Sequence, residues 1–176
     1  MRRIMIVGGP GSGKTTLAFR LQKQTGLPII HMDKIYWSDG WILNSKEQIR
    51  STVEKAAQKS HWIFEGNNSS SFDLRIENAD TIIFLDLPTR TCLFRVLLRT
   101  IKNYGLVRKG MALGCPDRFD WSFLKLVYGY RKSGRLKALK LLEEAPTSVK
   151  KYHLENRRSV DIFLYSFKGI DPISIT

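Results

Sequence analysis

Apolar residues follow two rhythms along this chain. Arg3 to Val7, Ile29 to His31, Trp62 to Phe64 and Thr81 to Leu85 are short apolar or β-branched runs that lead into glycine or a carboxylate. Runs of that length and composition predict strands, and the almost uninterrupted Thr81 to Leu85 predicts one buried on both faces of a parallel sheet. Between the runs the spacing changes to three and four. Leu17, Ala18 and Leu21 predict a helix over Lys14 to Gln24, stopped by Gly26 and Pro28. Asn44 or Ser45 can cap a helix through Gln58 with Glu47 in its first turn, and 67–71 reads as loop.

The second half is more helical and less regular. Thr89 to Lys102 predicts an amphipathic helix with Leu93, Val96, Leu97 and Ile101 facing inward and Arg95, Arg99 and Lys102 on another stripe. Tyr104 to Phe119, punctuated by Gly105, Gly110, Gly114 and Pro116, predicts irregular chain. Helical spacing returns from Trp121 to Tyr130 and from Leu136 to Glu144, and Val160 to Tyr165 predicts a last strand. Strands alternating with helices define an α/β domain with right-handed crossovers, whose ligands lie outside the carboxyl ends of the strands. No internal repeat or composition break divides residues 1–176, so one domain is expected, with 103–135 as a lid insertion.

Charge sharpens the picture. The chain carries 29 Lys and Arg against 16 Asp and Glu, and residues 90–158 hold 17 of those cations against 5 acids. A block of this kind meets an anion or remains solvated, and the anions available are nucleotide phosphates, a nucleic-acid backbone or an anionic membrane surface. No apolar run reaches the roughly 18 residues of a membrane span, so no membrane partner is expected. Cys92 and Cys115 are too few for a disulfide framework, and the first residues do not resemble a secretory leader. A cytoplasmic location is expected. His31, His61 and His153 show no metal-ligand spacing, and Met32, Tyr36, Trp37 and Trp41 read as pocket lining or core.

The chemistry begins at Gly8, Gly9, Pro10, Gly11, Ser12, Gly13, Lys14 and Thr15, a full G-x-x-x-x-G-K-[ST] pattern between a strand and a helix. Glycines let successive N–H groups turn inward onto phosphate oxygens, and the helix adds its positive end, so Gly8 to Thr16 is expected to bind the nucleotide. Lys14 is expected at the β- and γ-phosphates and Thr15 at Mg²⁺. Asp86 ends the most apolar run, where it can orient a Mg²⁺ water with Thr15 or cap the turn before Pro88. Asp33 can serve as general base toward an acceptor or cap the next segment. Glu65 can hold the acceptor or simply close a turn. Arg95 and Arg99 can neutralise the transferring phosphate or form a solvated helix face, and Arg131 and Arg135 are candidates to reach substrate when the lid closes.

Taken together, Gly8 to Thr15, His31-Met32-Asp33-Lys34-Ile35-Tyr36-Trp37, Trp62-Ile63-Phe64-Glu65-Gly66-Asn67, Arg75 and Ala79 to Pro88 resemble the bacterial DNA topology modulation proteins. Arg95, Arg99 and Gly114-Cys115-Pro116 before Phe123-Leu124 extend the resemblance to about residue 140. That family is similar to adenylate kinase and other nucleoside monophosphate kinases. The resemblance implies a three-layer P-loop NTPase fold, a five-stranded parallel sheet and an arginine-bearing helical lid, and it adds Arg75 to the substrate-binding candidates. Glu65-Gly66-Asn67 stands where adenylate kinases carry Gly-Phe-Pro-Arg, so AMP does not transfer as acceptor.

The expected function is phosphotransfer from ATP with Mg²⁺ to a small nucleotide, nucleoside or metabolite, a task in which positioning and charge neutralisation do most of the work. The alternative is a nucleotide-dependent DNA-binding regulator, in which residues 90–158 track a phosphate backbone. It is less favoured because no helix-turn-helix, zinc-finger or aromatic ribonucleoprotein signature is present. A third possibility is an ATP-binding subunit without turnover.

Overall fold

A computed structural model describes residues 1–167; positions 168–176 of the expected domain lie outside the described residues. The chain runs β1 (Arg3–Gly8), α1 (Lys14–Thr25), β2 (Ile29–His31), α2 (Met32–Tyr36), β3 (Trp37–Ser38), β4 (Ile42–Leu43), α3 (Lys46–Ala57), β5 (Trp62–Glu65), α4 (Phe72–Ile76), β6 (Thr81–Leu85), α5 (Thr89–Lys102), α6 (Trp121–Gly129), α7 (Gly134–Glu144), β7 (Lys150–Leu154) and α8 (Arg157–Ser166). The main sheet is five-stranded and parallel, in the order β2-β5-β1-β6-β7, and β3 pairs antiparallel with β4 as a separate hairpin.

Both faces of the sheet are covered, and the side-chain alternation of β1 divides the core in two. Ile4 and Ile6 join Leu17 and Leu21 of α1, Val96 of α5, Val127 of α6 and Phe163 of α8. Met5 and Val7 point the other way, to Val53 of α3 and to Ala138 and Leu141 of α7. Each fully buried aliphatic or aromatic side chain contributes ~1.5–3 kcal/mol against exposure, so the central strands carry much of the stability. Ser45 caps α3 in a capping box with Gln48.

Two expectations are corrected. Val160 to Tyr165 belongs to α8, because Asn156 and Ser159 form a capping box that starts a helix there, and the fifth strand is Lys150–Leu154. On α5 the inward residues are Cys92, Val96 and Thr100, with Leu97 and Ile101 exposed, because the start of the helix is pressed against the glycine loop. Among the described residues no helix is long and apolar enough to cross a membrane.

Candidate active site

The loop between β1 and α1 is held from inside the fold. The Gly8 N–H donates to Asn67 Oδ1 at 3.0 Å and Asn67 Nδ2 donates back to the Gly8 carbonyl at 2.6 Å. Asn67 follows β5, and β5 lies beside β1 in the sheet, so residues 59 apart in sequence meet. Gly11 has φ 78°, and a Cβ there would stand 2.5 Å from the Cys92 carbonyl oxygen. No other residue type fits between the loop and α5. Arg95 Nη1 donates to the Ser12 carbonyl at 3.3 Å, fixing α5 to the loop from above.

Lys14 Nζ donates to the Gly8 and Gly9 carbonyls, each at 2.9 Å. Burial lowers its pKa, while the charges of Glu65 and Asp33 partly offset that shift. Thr15 Oγ1 donates to Glu65 Oε1 at 3.2 Å, and His31 Nδ1 pairs with the same oxygen at 2.7 Å. Asp33, just after β2, is open to solvent within the cleft. Enclosure by the cleft walls and then the Glu65 charge push its carboxyl above the usual range. A threonine hydroxyl and the Glu65 carboxylate beside it are oxygen donors of the kind a hard divalent cation takes, so the pair fits Mg²⁺.

Asp86 is not part of that group. Arg135 Nε donates to both its oxygens at 2.9 Å, and His153 Nε2 lies 3.0 Å from Oδ2. Asp86, His153 and Glu155 bring ligand atoms within 4.8 Å of one another, a cluster the histidine spacing does not suggest, but the arginine fork already engages both Asp86 oxygens. Thr15 meets Glu65 and not Asp86, and Arg135 is held by Asp86 at the sheet edge, outside the cleft lining. Arg75 departs too. It is fully buried, its guanidinium donates to the carbonyls of Ser71, Gly66 and Asn68, and it lies 5.2 Å from the Phe64 ring centre and 5.1 Å from that of Phe72. Burial brings its pKa down to about 9, which leaves it charged at neutral pH. It therefore supports the 66–71 segment from beneath and does not face the cleft. Arg131 is exposed and does not line the cleft.

The segment expected to act as a lid is folded over the opposite wall. Cys115 Sγ donates to the Ser38 carbonyl and accepts from the Trp41 N–H at 3.3 Å, and the Arg118 guanidinium sits 5.3 Å from the Trp41 ring centre. Trp41, at φ 65°, is the one non-glycine residue with positive φ among those described. Gly114 lies so close to Asp39 that any side chain would collide with its carboxylate. Gly114 thus permits a close contact as well as punctuating the irregular segment. Asp117 anchors the lid loop: its carboxylate accepts from Arg108 Nε at 2.7 Å and stands 3.8 Å from Arg99 Nε. Burial and then the nearby Arg108 charge lower the pKa of Arg99.

These walls enclose one cleft of about 1360 Å³, lined by the loop, Asp33, Glu65, Trp41, Arg95, Arg99 and Arg118 among others. A smaller hollow on α8 is lined by none of these groups. Asn67 and the link between Glu65 and Thr15 were missed by sequence reasoning; their only sequence signal is their place after the strand that pairs with β1.

The profile of the ATPase family associated with various cellular activities (AAA) matches residues 4–86. No curated protein sequence matches the chain. Among solved structures, the chain is similar to a sugar kinase from a Janibacter species, at 18% identity and TM-score 0.54, with 98% of this chain and 96% of that one covered. It is similar also to shikimate kinase from Acinetobacter baumannii in complex with shikimate, at 13% identity and TM-score 0.60, covering 94% and 90%. Shikimate kinase from Bacteroides thetaiotaomicron gives 13% and 0.56, covering 95% and 96%. The fold is that of the P-loop kinases, a five-stranded parallel sheet between helical layers with the nucleotide loop after its first strand.

Proposed function

We propose that this protein is an ATP-dependent phosphotransferase that uses Mg²⁺ and a small acceptor bearing a hydroxyl or phosphate group. The observation that carries the reading is the single cleft lined by the phosphate loop with Lys14, the pair Thr15 and Glu65, the carboxyl of Asp33, and Arg95 and Arg99. The backbone N–H groups of the loop bind the triphosphate. Lys14 leaves the Gly8 and Gly9 carbonyls for the β- and γ-phosphates, a shorter reach than from open solvent. Thr15 and Glu65 are the residues that would hold Mg²⁺, whose chemistry is neutralisation of charge on the β- and γ-phosphates.

An acceptor oxygen attacks the γ-phosphorus in line as the bond to the bridging oxygen breaks and ADP departs. When the acceptor is a hydroxyl, its proton passes to the ionised Asp33 carboxylate, a stronger base than an ordinary aspartate because of its surroundings. Arg95 and Arg99 neutralise charge that grows in the transition state. The resemblance to topology modulation proteins agrees with this chemistry, and the named activities of the structural relatives, sugar and shikimate kinases, add polyhydroxylated sugars and acids to the acceptors worth trying.

The test is a screen of nucleosides, nucleotides, sugars and hydroxy acids for acceptor-dependent ADP release, with Lys14→Ala alongside. At least one acceptor should raise ADP release, and the variant should lose about 10²-fold or more, as expected for loss of a charge-stabilising donor. Silence across the whole set, together with unchanged ATP affinity in Lys14→Ala, would overturn the reading.

A further inference from the structure

The face of α5 turned away from the cleft is apolar and uncovered among the described residues. Phe94, Leu97, Leu98 and Ile101 recur at spacings of three and four, with Phe94 63% and Ile101 74% exposed. The stripe continues past the helix end into exposed Tyr104, Leu106 and Val107. An isolated exposed leucine needs no explanation, but a contiguous apolar helix face does.

Charge decides which partner fits. Residues 90–142 contain 13 Lys and Arg and only two acids, Asp117 and Asp120. Asp117 is buried against Arg108, and Asp120 caps α6 through the N–H groups of Ser122 and Phe123. Arg90 and Lys102 are exposed on α5, and Lys109 follows on the lid. That segment has no uncommitted carboxylate to offer a partner's cations. A second copy meeting the stripe about a twofold axis would set this cationic face against itself. A nucleic acid would satisfy the cations but leave Leu97, Leu98 and Ile101 without an apolar counterpart. An anionic bilayer satisfies both: headgroups take the cations, the acyl boundary takes the aliphatic stripe, and the interfacial zone suits the ring and hydroxyl of Tyr104.

The expectation of no membrane partner rests on the lack of a spanning segment, which does not bear on peripheral binding, and we propose that the protein docks peripherally on anionic lipid surfaces through the outer face of α5 and the adjoining segment 104–109. Arg95 and Arg99 stay on the cleft side of the same helix, and within 104–109 only Arg108 lines the cleft, where Asp117 holds it, so the docking face itself points away from the candidate active site. Such docking requires no phosphotransfer, and its failure would leave the kinase reading untouched.

The experiment is co-sedimentation of the full chain with vesicles of phosphatidylcholine alone or with roughly one-third phosphatidylglycerol, at low and physiological salt. Binding should appear with the anionic vesicles, weaken with salt and be negligible on the neutral ones. Phe94→Ser with Ile101→Ser should lower partitioning about tenfold or more. Arg90→Glu with Lys102→Glu should lower it more than twentyfold, each cation near such a surface being worth about fivefold. Both pairs are exposed, and ATP-induced thermal stabilisation should be unchanged in both. No binding to anionic vesicles, or equal binding by either double variant, overturns the proposal. So does a concentration-dependent dimer that Phe94→Ser with Ile101→Ser dissolves, or DNA binding through these residues in place of lipid.

Discussion

At the donor end of the cleft the loop 8–15 is gripped by groups on the sheet and the flanking helices: Asn67 on both polar groups of Gly8, Arg95 on the Ser12 carbonyl, and the Cys92 carbonyl closing over Gly11. The opposite wall, which the proposed reaction makes the acceptor wall, is the β3–β4 hairpin with Trp41, gripped by Cys115, Arg118 and Gly114. One wall is held by the sheet and the start of α5, whereas the other is completed by a long excursion of chain. Damage to the donor wall should therefore register in folding and ATP affinity together, and damage to the acceptor wall in turnover at constant fold.

Arg75 offers the harshest way to break that contrast. Arg75→Ala strands the carbonyls of Gly66, Asn68 and Ser71 beneath the donor wall, so urea denaturation should show a loss of about 3–5 kcal/mol, with ATP affinity falling alongside. Arg75→Lys should not restore it, since one ammonium cannot span the three. Stability within about 1 kcal/mol of the parent would mean that the wall is not held from below.

Asp33 sharpens the contrast from the acceptor side. Asp33→Asn should cut acceptor-dependent turnover about 10²-fold or more at unchanged ATP affinity. The base acts ionised and its carboxyl sits above the usual range, so kcat/KM should decline, as pH is lowered, at a higher pH than an ordinary aspartate would give. Glu65→Gln removes one cause of that elevation and should shift the decline toward lower pH. An acid limb that does not move would separate Asp33 from Glu65.

Asn67→Ala should weaken ATP binding by about 1–2 kcal/mol through loss of the Gly8 clasp, as titration calorimetry would measure. The mildest change belongs to the lid. Gly114→Ala prevents the approach to Asp39 and should raise acceptor KM several-fold, expose 103–120 to protease and spare ATP affinity. A drop in ATP affinity there would show that the two walls are not independent.

The contrast also governs what the sequence could disclose. The donor loop is a contiguous run, so Gly8 to Thr15 is legible directly, as are four of the five sheet strands and the alternation that yields an α/β fold. The groups that grip the loop lie 50 to 83 positions away and become neighbours through the strand order and the packing of α5, neither of which single-sequence periodicity contains. Lys150–Leu154 is an edge strand with only Leu154 buried, so its composition carries no apolar signature. Val160 to Tyr165 looks strand-like in composition, yet a capping box four residues upstream decides for helix. Arg75 reads as a substrate cation in one dimension and proves to be a support in three.

The fork between Arg135 and Asp86 has a consequence for how this architecture can vary. Asp86 precedes α5 by three positions, Arg135 stands at the start of α7, and the 49 positions separating them hold the whole lid. The ion pair thus fastens the two ends of a polymer loop at one carboxylate on the sheet edge. The entropy of closing such a loop grows only with the logarithm of its length, about 0.6 kcal/mol for each doubling. Lid length is therefore thermodynamically inexpensive to change, and descendants of this chain can lengthen, shorten or redecorate the excursion while the sheet and its phosphate loop remain in place.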